Sequence, residues 1–276
     1  MRDLDSFCEG LPSAASKVRW VECKSAMSPS RLPGLDLTLN PYQGCAHDCT
    51  YCYAPYLMRR ERERWSEVSA KADLPRLLRA EASKRRGVIG LSTATDPYQP
   101  IEAGLRLTRR CLEELVRAQA RVSVLTKSDL VVRDADLLMK LPKAEVGITI
   151  TTSRDDLARI FEPGAPPPSR RLRALRELNE AGLDTYVFIG PIIPYVTDAG
   201  MDELMAAIVG SGCRRAMTDR LRLRPGMLAR MTSRPGAEAL GDDFAPLCSS
   251  EQYLAAMERM VSDRCAAHGL RVQNAF

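Results

Sequence analysis

Gly44-Cys45-Ala46-His47-Asp48-Cys49-Thr50-Tyr51-Cys52-Tyr53 gathers three of the chain's nine cysteines into eight residues, with three and then two residues between them. Such crowding needs a chemical cause, and a metal supplies one, because thiolate sulfurs select zinc or iron–sulfur clusters. Three ligands on one loop, with no fourth cysteine nearby, would leave one position of a four-iron cluster open to a chelating substrate or cofactor. A zinc site would enlist His47 as fourth ligand, although bunched ligands make a poorer tetrahedral cage than separated pairs. A disulfide is poorer still, since neighbouring cysteines on a tight loop seldom meet the separation and dihedral that the bond demands.

Working outward, 35–40 alternates apolar and polar residues, which is a strand signal. The cysteine loop therefore leaves the C-terminal end of a strand, where the loops of parallel barrels converge and carry chemistry. Downstream, strand patterns at 88–93, 121–126, 145–151, 184–189 and 214–223 trade places with helical ones at 101–119, 133–141, 169–181 and 201–209. This alternation calls for right-handed parallel crossovers. Two further helices are read at 56–65, where Arg59, Arg60, Arg62 and Arg64 interleave with Glu61 and Glu63, and at 74–86, which ends in basic residues before Gly87. About six βα units fit between 35 and 224, fewer than the eight of a closed barrel. The expected fold is α/β, a partial (βα)6 TIM-like barrel open on one side. Residues 1–34 read as an irregular lead-in, 163–168 as a proline-rich loop over the strand-four side, and 225–276 as a C-terminal extension with one helix at 250–268.

At 276 residues, 45% hydrophobic and 27% charged, the composition is that of an ordinary globular chain with one substantial core. Apolar runs fall short of the roughly 20 residues needed to cross a bilayer. The acidic start, Met1-Arg2-Asp3-Leu4-Asp5, gives no export signal. Cys8, Cys23, Cys111, Cys213, Cys248 and Cys265 are scattered singly, which fits reduced thiols in the cytoplasm. A net charge of +5 permits a nucleic-acid partner without requiring one. The chain has no P-loop and no Gly-x-Gly-x-x-Gly, so phosphate binding by those routes has no support.

The C-x-x-x-C-x-x-C spacing, with Tyr51 just before the last cysteine, resembles the radical S-adenosylmethionine (radical SAM) superfamily. Asn40-Pro41-Tyr42-Gln43-Gly44 ahead of it, Tyr53 behind it, Thr93-Ala94-Thr95-Asp96-Pro97-Tyr98-Gln99-Pro100-Ile101-Glu102 and Thr126-Lys127-Ser128 are similar to the branch that includes spore photoproduct lyase. The resemblance spans most of 20–225. It implies that Cys45, Cys49 and Cys52 hold a [4Fe-4S] cluster whose fourth iron is chelated by S-adenosyl-L-methionine (SAM). It also implies one-electron cleavage of SAM to a 5′-deoxyadenosyl radical and a reductant such as ferredoxin or flavodoxin. A monomer is expected, and the short apolar runs predict no membrane partner.

Position then nominates further site residues. Thr93, Thr95 and Asp96, at the end of the second strand, would receive the cofactor's amine, although Thr95-Asp96-Pro97 reads equally well as a helix cap. Lys127 would neutralise the methionine carboxylate, Thr149 and Thr151 would meet the ribose hydroxyls, and Ile192 in Gly190-Pro191-Ile192-Ile193-Pro194 would lie against adenine. Tyr51 and Tyr53 bracket the last cysteine; the resemblance implies a radical relay at Tyr53, while the residue itself reads at least equally well as an aromatic packed beneath the cluster loop. One departure bears on function: Thr93 stands where the lyase has its hydrogen-donor cysteine, and a hydroxyl is a far poorer hydrogen-atom donor than a thiol. The leading expectation is hydrogen abstraction from a large substrate, with nucleic acid ahead of peptide. It is motivated by the open barrel and by Arg220, Arg222 and Arg224, which would share one face of a strand. The alternatives are radical modification of a peptide or small molecule, or a non-catalytic iron–sulfur protein.

Overall fold

The computed structural model describes residues 18–275. Its strands, in chain order, are β1 (Arg19–Val21), β2 (Ser28–Pro29), β3 (Leu37–Leu39), β4 (Tyr42–Gln43), β5 (Ser69–Lys71), β6 (Val88–Leu91), β7 (Arg121–Thr126), β8 (Lys143–Thr149), β9 (Asp184–Ile192), β10 (Arg215–Arg220) and β11 (Arg271–Asn274). The main sheet runs β11-β10-β9-β8-β7-β6-β3-β2, parallel throughout except for the antiparallel β2 at one edge. Six of its parallel strands are the six expected from the alternation, and the sheet ends in two free edges rather than closing. The (βα)6 reading with an open side holds.

Period-two alternation sorts each strand into two faces. Ile89 and Leu91, Val122 and Val124, Val146 and Ile148, and Val187 and Ile189 share the main core with Leu112, Leu115, Leu175, Leu178, Leu204 and Ile208 from the crossover helices. The opposite face carries Thr38, Gly90, Ser123, Leu125, Gly147, Thr149, Tyr186, Phe188 and Met217, by the register that pairs them across the sheet. This second face lines the lumen.

The helices are α1 (Ala54–Leu57), α2 (Leu74–Glu81), α3 (Glu102–Leu105), α4 (Leu107–Arg117), α5 (Ala135–Leu138), α6 (Asp155–Phe161), α7 (Pro168–Glu180), α8 (Met201–Gly210), α9 (Met227–Thr232), α10 (Phe244–Ser249) and α11 (Glu251–Ala267). Three expectations differ. The helix read at 56–65 stops at Leu57, because Arg59 turns left-handed at φ 51° and Trp65 is drawn inside, where its carbonyl accepts from Cys45 N–H at 2.8 Å. The helix read at 101–119 breaks at Arg106, with φ 50°, and the buried Glu102 carboxylate accepts the Thr108 N–H at 2.9 Å to start α4. The helix read at 133–141 is a 3-10 turn over Asp129–Asp134 followed by the single turn of α5.

The ends also carry more structure than the sequence suggested. Within 18–34, β1 pairs with β5, and β2 with β3; Cys8 lies outside the described residues. After 224 come α9, α10 and α11, and then β11, which extends the sheet parallel to β10. Leu254, Met257, Val261 and Cys265 of α11 are buried, as the spacing at 250–268 predicted. An edge strand with one apolar residue in Arg271-Val272-Gln273-Asn274 leaves no alternation to read.

Candidate functional site

The cysteine loop is held from every side. Gly44 has φ +81°, and a Cβ there would come within 2.5 Å of the Glu67 carbonyl and 2.8 Å of that of Trp65, so only glycine lets the loop approach this wall. Within the loop, Asp48 N–H bonds Cys45 O at 3.3 Å and Cys52 N–H bonds Cys49 O at 3.1 Å. Arg62 clamps it from outside, donating to Asp48 Oδ1 at 2.6 Å, to Asp48 O at 3.3 Å and to Cys49 O at 3.1 Å. Arg230 of α9 adds a bond to Thr50 O at 3.3 Å. The proline-rich segment is the loop's floor: Gly164 N–H donates to His47 O at 3.0 Å, and a Cβ on Gly164 would collide with Ala46 O. The loop read at 163–168 is thus part of the site.

Cys45, Cys49 and Cys52 are free thiols. Backbone N–H groups of His47 and Asp96 are aimed at the Cys45 sulfur, and that of Ala54 at the Cys52 sulfur. Burial pushes the Cys45 thiol up to about 12 and raises Cys49 and Cys52 as well. Thiols like these surrender their protons to a metal centre rather than to water. Among the described residues, no three Cys, His, Asp or Glu side chains converge on one metal ion. The four-coordinate zinc reading needs such a group, and His47 is turned elsewhere: it is buried with Nδ1 3.4 Å from Asp96 Oδ2. Three sulfurs on one loop, near enough to act on one another's charge and with amides directed at Cys45 and Cys52, fit a multi-iron cluster.

Asp96 is an organiser rather than an open acceptor. Its carboxylate takes Tyr98 N–H at 2.9 Å, Thr126 Oγ1 at 2.6 Å and Lys127 N–H at 2.7 Å besides facing His47. Burial opposes its charge, but His47 and these donors hold it at about 2. The expectation that it receives the cofactor's amine gives way to this role, because its lone pairs face protein donors.

Accessible surface divides the other candidates, since a ligand-contacting atom must show surface when no ligand is present. Thr93, Lys127 and Cys52 are half-buried and Tyr53 is 40% exposed. Ile192 is 0% exposed in the main core, and Thr149 and Thr151 are likewise sealed. Those three are wall residues, and the expected contacts to adenine and ribose do not follow from their positions. Thr95 is buried with an unpartnered Oγ1. Thr93 Oγ1 lies 2.7 Å from Thr38 Oγ1, which also accepts from Asn40 at 3.0 Å.

Tyr51 is buried beneath the loop, its hydroxyl donating to Glu162, which is ion-paired with Arg171. Arg171 in turn donates to Pro166 O at 2.7 Å and Thr149 O at 3.2 Å. Lys127 Nζ sits 5.6 Å from the Tyr51 ring centroid and, among the described residues, has no hydrogen-bond acceptor. Burial works against its charge, yet Cys49 and Glu162 outweigh that and raise its pKa. Composition hid this network, because Glu162 and Arg171 are distant in sequence from any motif.

The arginines fall differently than expected. Of Arg220, Arg222 and Arg224, Arg220 alone is on β10, and it pairs with Glu251 at 3.2 Å, while Arg222 bonds Asp219 beyond the strand's end. Arg60, Arg62 and Arg64 have protein partners in Gln43, Asp48 and Glu67. In the lumen, half-buried Leu125, Phe188 and Met217 leave apolar surface uncovered. Their parity opposite to the core residues was a readable signal.

An open parallel barrel with a three-thiol loop at the C-terminal end of its first core strand defines an iron–sulfur enzyme class. The sequence model of the Radical SAM superfamily matches residues 39–208, and the chain belongs to that superfamily, whose enzymes use a [4Fe-4S] cluster and SAM. It is 39% identical over 180 residues to an uncharacterised protein of Methanocaldococcus jannaschii, covering 64% of this chain and 68% of that one. A radical SAM Nα-GlyT isomerase of Pseudomonas phage M6 is 24% identical over 206 residues, covering 72% of this chain and 43% of the phage protein. Spore photoproduct lyase complexed with a dinucleoside spore photoproduct has the same fold, with TM-score 0.69 over 97% of this chain and 87% of that one at 15% identity. No helix among the described residues is long and apolar enough to cross a membrane.

Proposed function

We propose that Cys45, Cys49 and Cys52 hold the three protein-bound irons of the cluster and that Lys127 receives the methionine carboxylate of SAM. The half-buried lysine without a hydrogen-bond acceptor among the described residues, beside the cysteine loop, supports that role. Thr93, half-buried on the neighbouring strand end, supplies a hydroxyl for the amine. When bound, the cluster and SAM supply a 5′-deoxyadenosyl radical that removes hydrogen from the substrate. The chain's own residues orient the cofactor and keep water from it. In this reading Tyr53, 40% exposed and next to Cys52, relays a hydrogen atom.

The substrate in this reading is a nucleic acid. The observation that carries it is the half-buried apolar set Leu125, Phe188 and Met217 on the lumen face of the sheet, a surface on which a flat base can lie. Arg224, exposed just past the end of β10, is available for a phosphate. The lyase-like fold and the phage isomerase relative, one with a dinucleoside and one named for a GlyT group, favour the same class. Anaerobic reconstitution, followed by assay of 5′-deoxyadenosine with single-stranded oligonucleotides or peptides, tests it. Oligonucleotide-stimulated cleavage, with retention that weakens about tenfold or more between 50 and 200 mM salt, is expected. Stimulation by peptide alone would overturn the nucleic-acid reading.

A further inference from the structure

We infer that Arg230, on a helix of the C-terminal extension, is a fixed cation that raises the reduction potential of the cluster held by the cysteine loop. The inference rests on the proposed placement of that cluster on Cys45, Cys49 and Cys52. Arg230 belongs to α9, beyond the residues 39–208 that the superfamily model matches.

The fold holds this side chain against the loop. Met227 and Met231, on either side of it in α9, are 0% exposed and share one apolar cluster with Cys49 and Tyr51. Tyr56 of α1 donates to Pro225 O, which ties the approach to α9 to the turn behind Cys52. From this position Arg230 Nε donates to Thr50 O and Nη1 to Gly226 O, each at 3.3 Å. Both acceptors are neutral carbonyls, and among the described residues no carboxylate pairs with Arg230. Its Nη2 is buried and has no hydrogen-bond partner among them either.

Three cations are near enough for their charge to act on the Cys52 sulfur: Lys127, Arg62 and Arg230. Asp48 pairs with Arg62 at 2.6 Å and offsets its charge. Lys127 is the proposed partner of the SAM carboxylate. Arg230 is the one whose charge no anion of the chain or cofactor offsets. A buried charged donor in that state is costly unless an anion faces it. A cluster held by three thiolates is such an anion, and one-electron reduction makes it more negative. A fixed positive charge nearby therefore stabilises the reduced state more than the oxidised one. In the step itself one electron passes from a reductant such as dithionite, which is oxidised, into the cluster, with no proton transferred and no bond of the chain broken.

The test is an anaerobic redox titration of the reconstituted full chain with dithionite, without SAM, followed by electron paramagnetic resonance. Native, Arg230→Gln and Arg230→Lys chains are compared, with iron content and thermal melting recorded for each. Glutamine keeps an N–H for Thr50 O and removes the charge, whereas lysine keeps the charge. The expected result is a potential lower by about 59 mV or more in Arg230→Gln, a tenfold fall in the reduced-to-oxidised ratio, with less than about half that shift in Arg230→Lys. Iron content should be unchanged in both. Equal potentials in the native and Arg230→Gln chains would overturn the inference, and so would an equal fall in Arg230→Gln and Arg230→Lys. Arg230→Met is the second neutral variant, and iron loss from both neutral chains would make the residue an anchor of loop shape and overturn the charge role. A native chain that binds no reducible cluster would instead overturn the site assignment.

Discussion

Replacing Arg171 by methionine asks how firmly the cysteine loop is anchored from below. The guanidinium is buried, pairs with Glu162, and donates to Pro166 O at 2.7 Å and Thr149 O at 3.2 Å. Without it, a carboxylate stays in a low-dielectric interior with Tyr51 and the more distant Lys127 as its remaining company. Breaking a buried pair in this way costs about 3–5 kcal/mol. At roughly 2–4 °C per kcal/mol for a chain of this size, the melting temperature should fall by about 6–20 °C.

The pH dependence has a defined sign. Burial raises the Glu162 pKa, but Arg171 and Lys127 together bring it below the ordinary carboxylate value. Its stabilising share is therefore complete above the unfolded value of about 4.3 and is lost as pH falls through the lower folded value. In Arg171→Met the folded value moves up, so the deficit against the native chain is largest near neutral pH and narrows towards about pH 4. Circular dichroism melts of the anaerobically purified chain at both pH values check this. The Glu162→Gln/Arg171→Met double variant should recover about 2–3 kcal/mol relative to additive losses. A fall of less than about 2 °C at neutral pH, or strictly additive single losses, would refute the reasoning.

Two further outcomes follow from the same site. Gly44→Ala forces a side chain into a left-handed position, at about 1–2 kcal/mol, and against the Glu67 and Trp65 carbonyls. Iron per chain after reconstitution should drop well below the native value, and full loading would contradict the packing given for the loop. Lys127→Met removes a charge-assisted contact of about 1.5–3 kcal/mol. SAM binding by equilibrium dialysis should weaken roughly 10- to 100-fold with iron content unchanged, and unaltered SAM affinity would remove Lys127 from the site.

The sequence alone determined the cluster motif, the alternation of strands and helices, and the open parallel barrel. These are legible because ligand spacing on a loop and apolar periodicity are local properties of the chain. The helix at 250–268 was legible for the same reason. The tertiary structure decided what each polar residue does. Asp96 sits in a motif that looks like an open cofactor acceptor, yet its carboxylate is turned onto His47, Thr126 and the Lys127 amide. Arg62 belongs to an alternating Arg/Glu run whose pattern is helical, yet it clamps Asp48 and Cys49 because Trp65 pulls its segment off the helical path. Ile192, Thr149 and Thr151 lie at the expected strand ends but are sealed in the walls. The edge strand Arg271–Asn274 joins the sheet through backbone pairing to β10, to which side-chain pattern contributes little. In each case the deciding partner is far along the chain, and only closure of the core determines which side chains share a desolvated space.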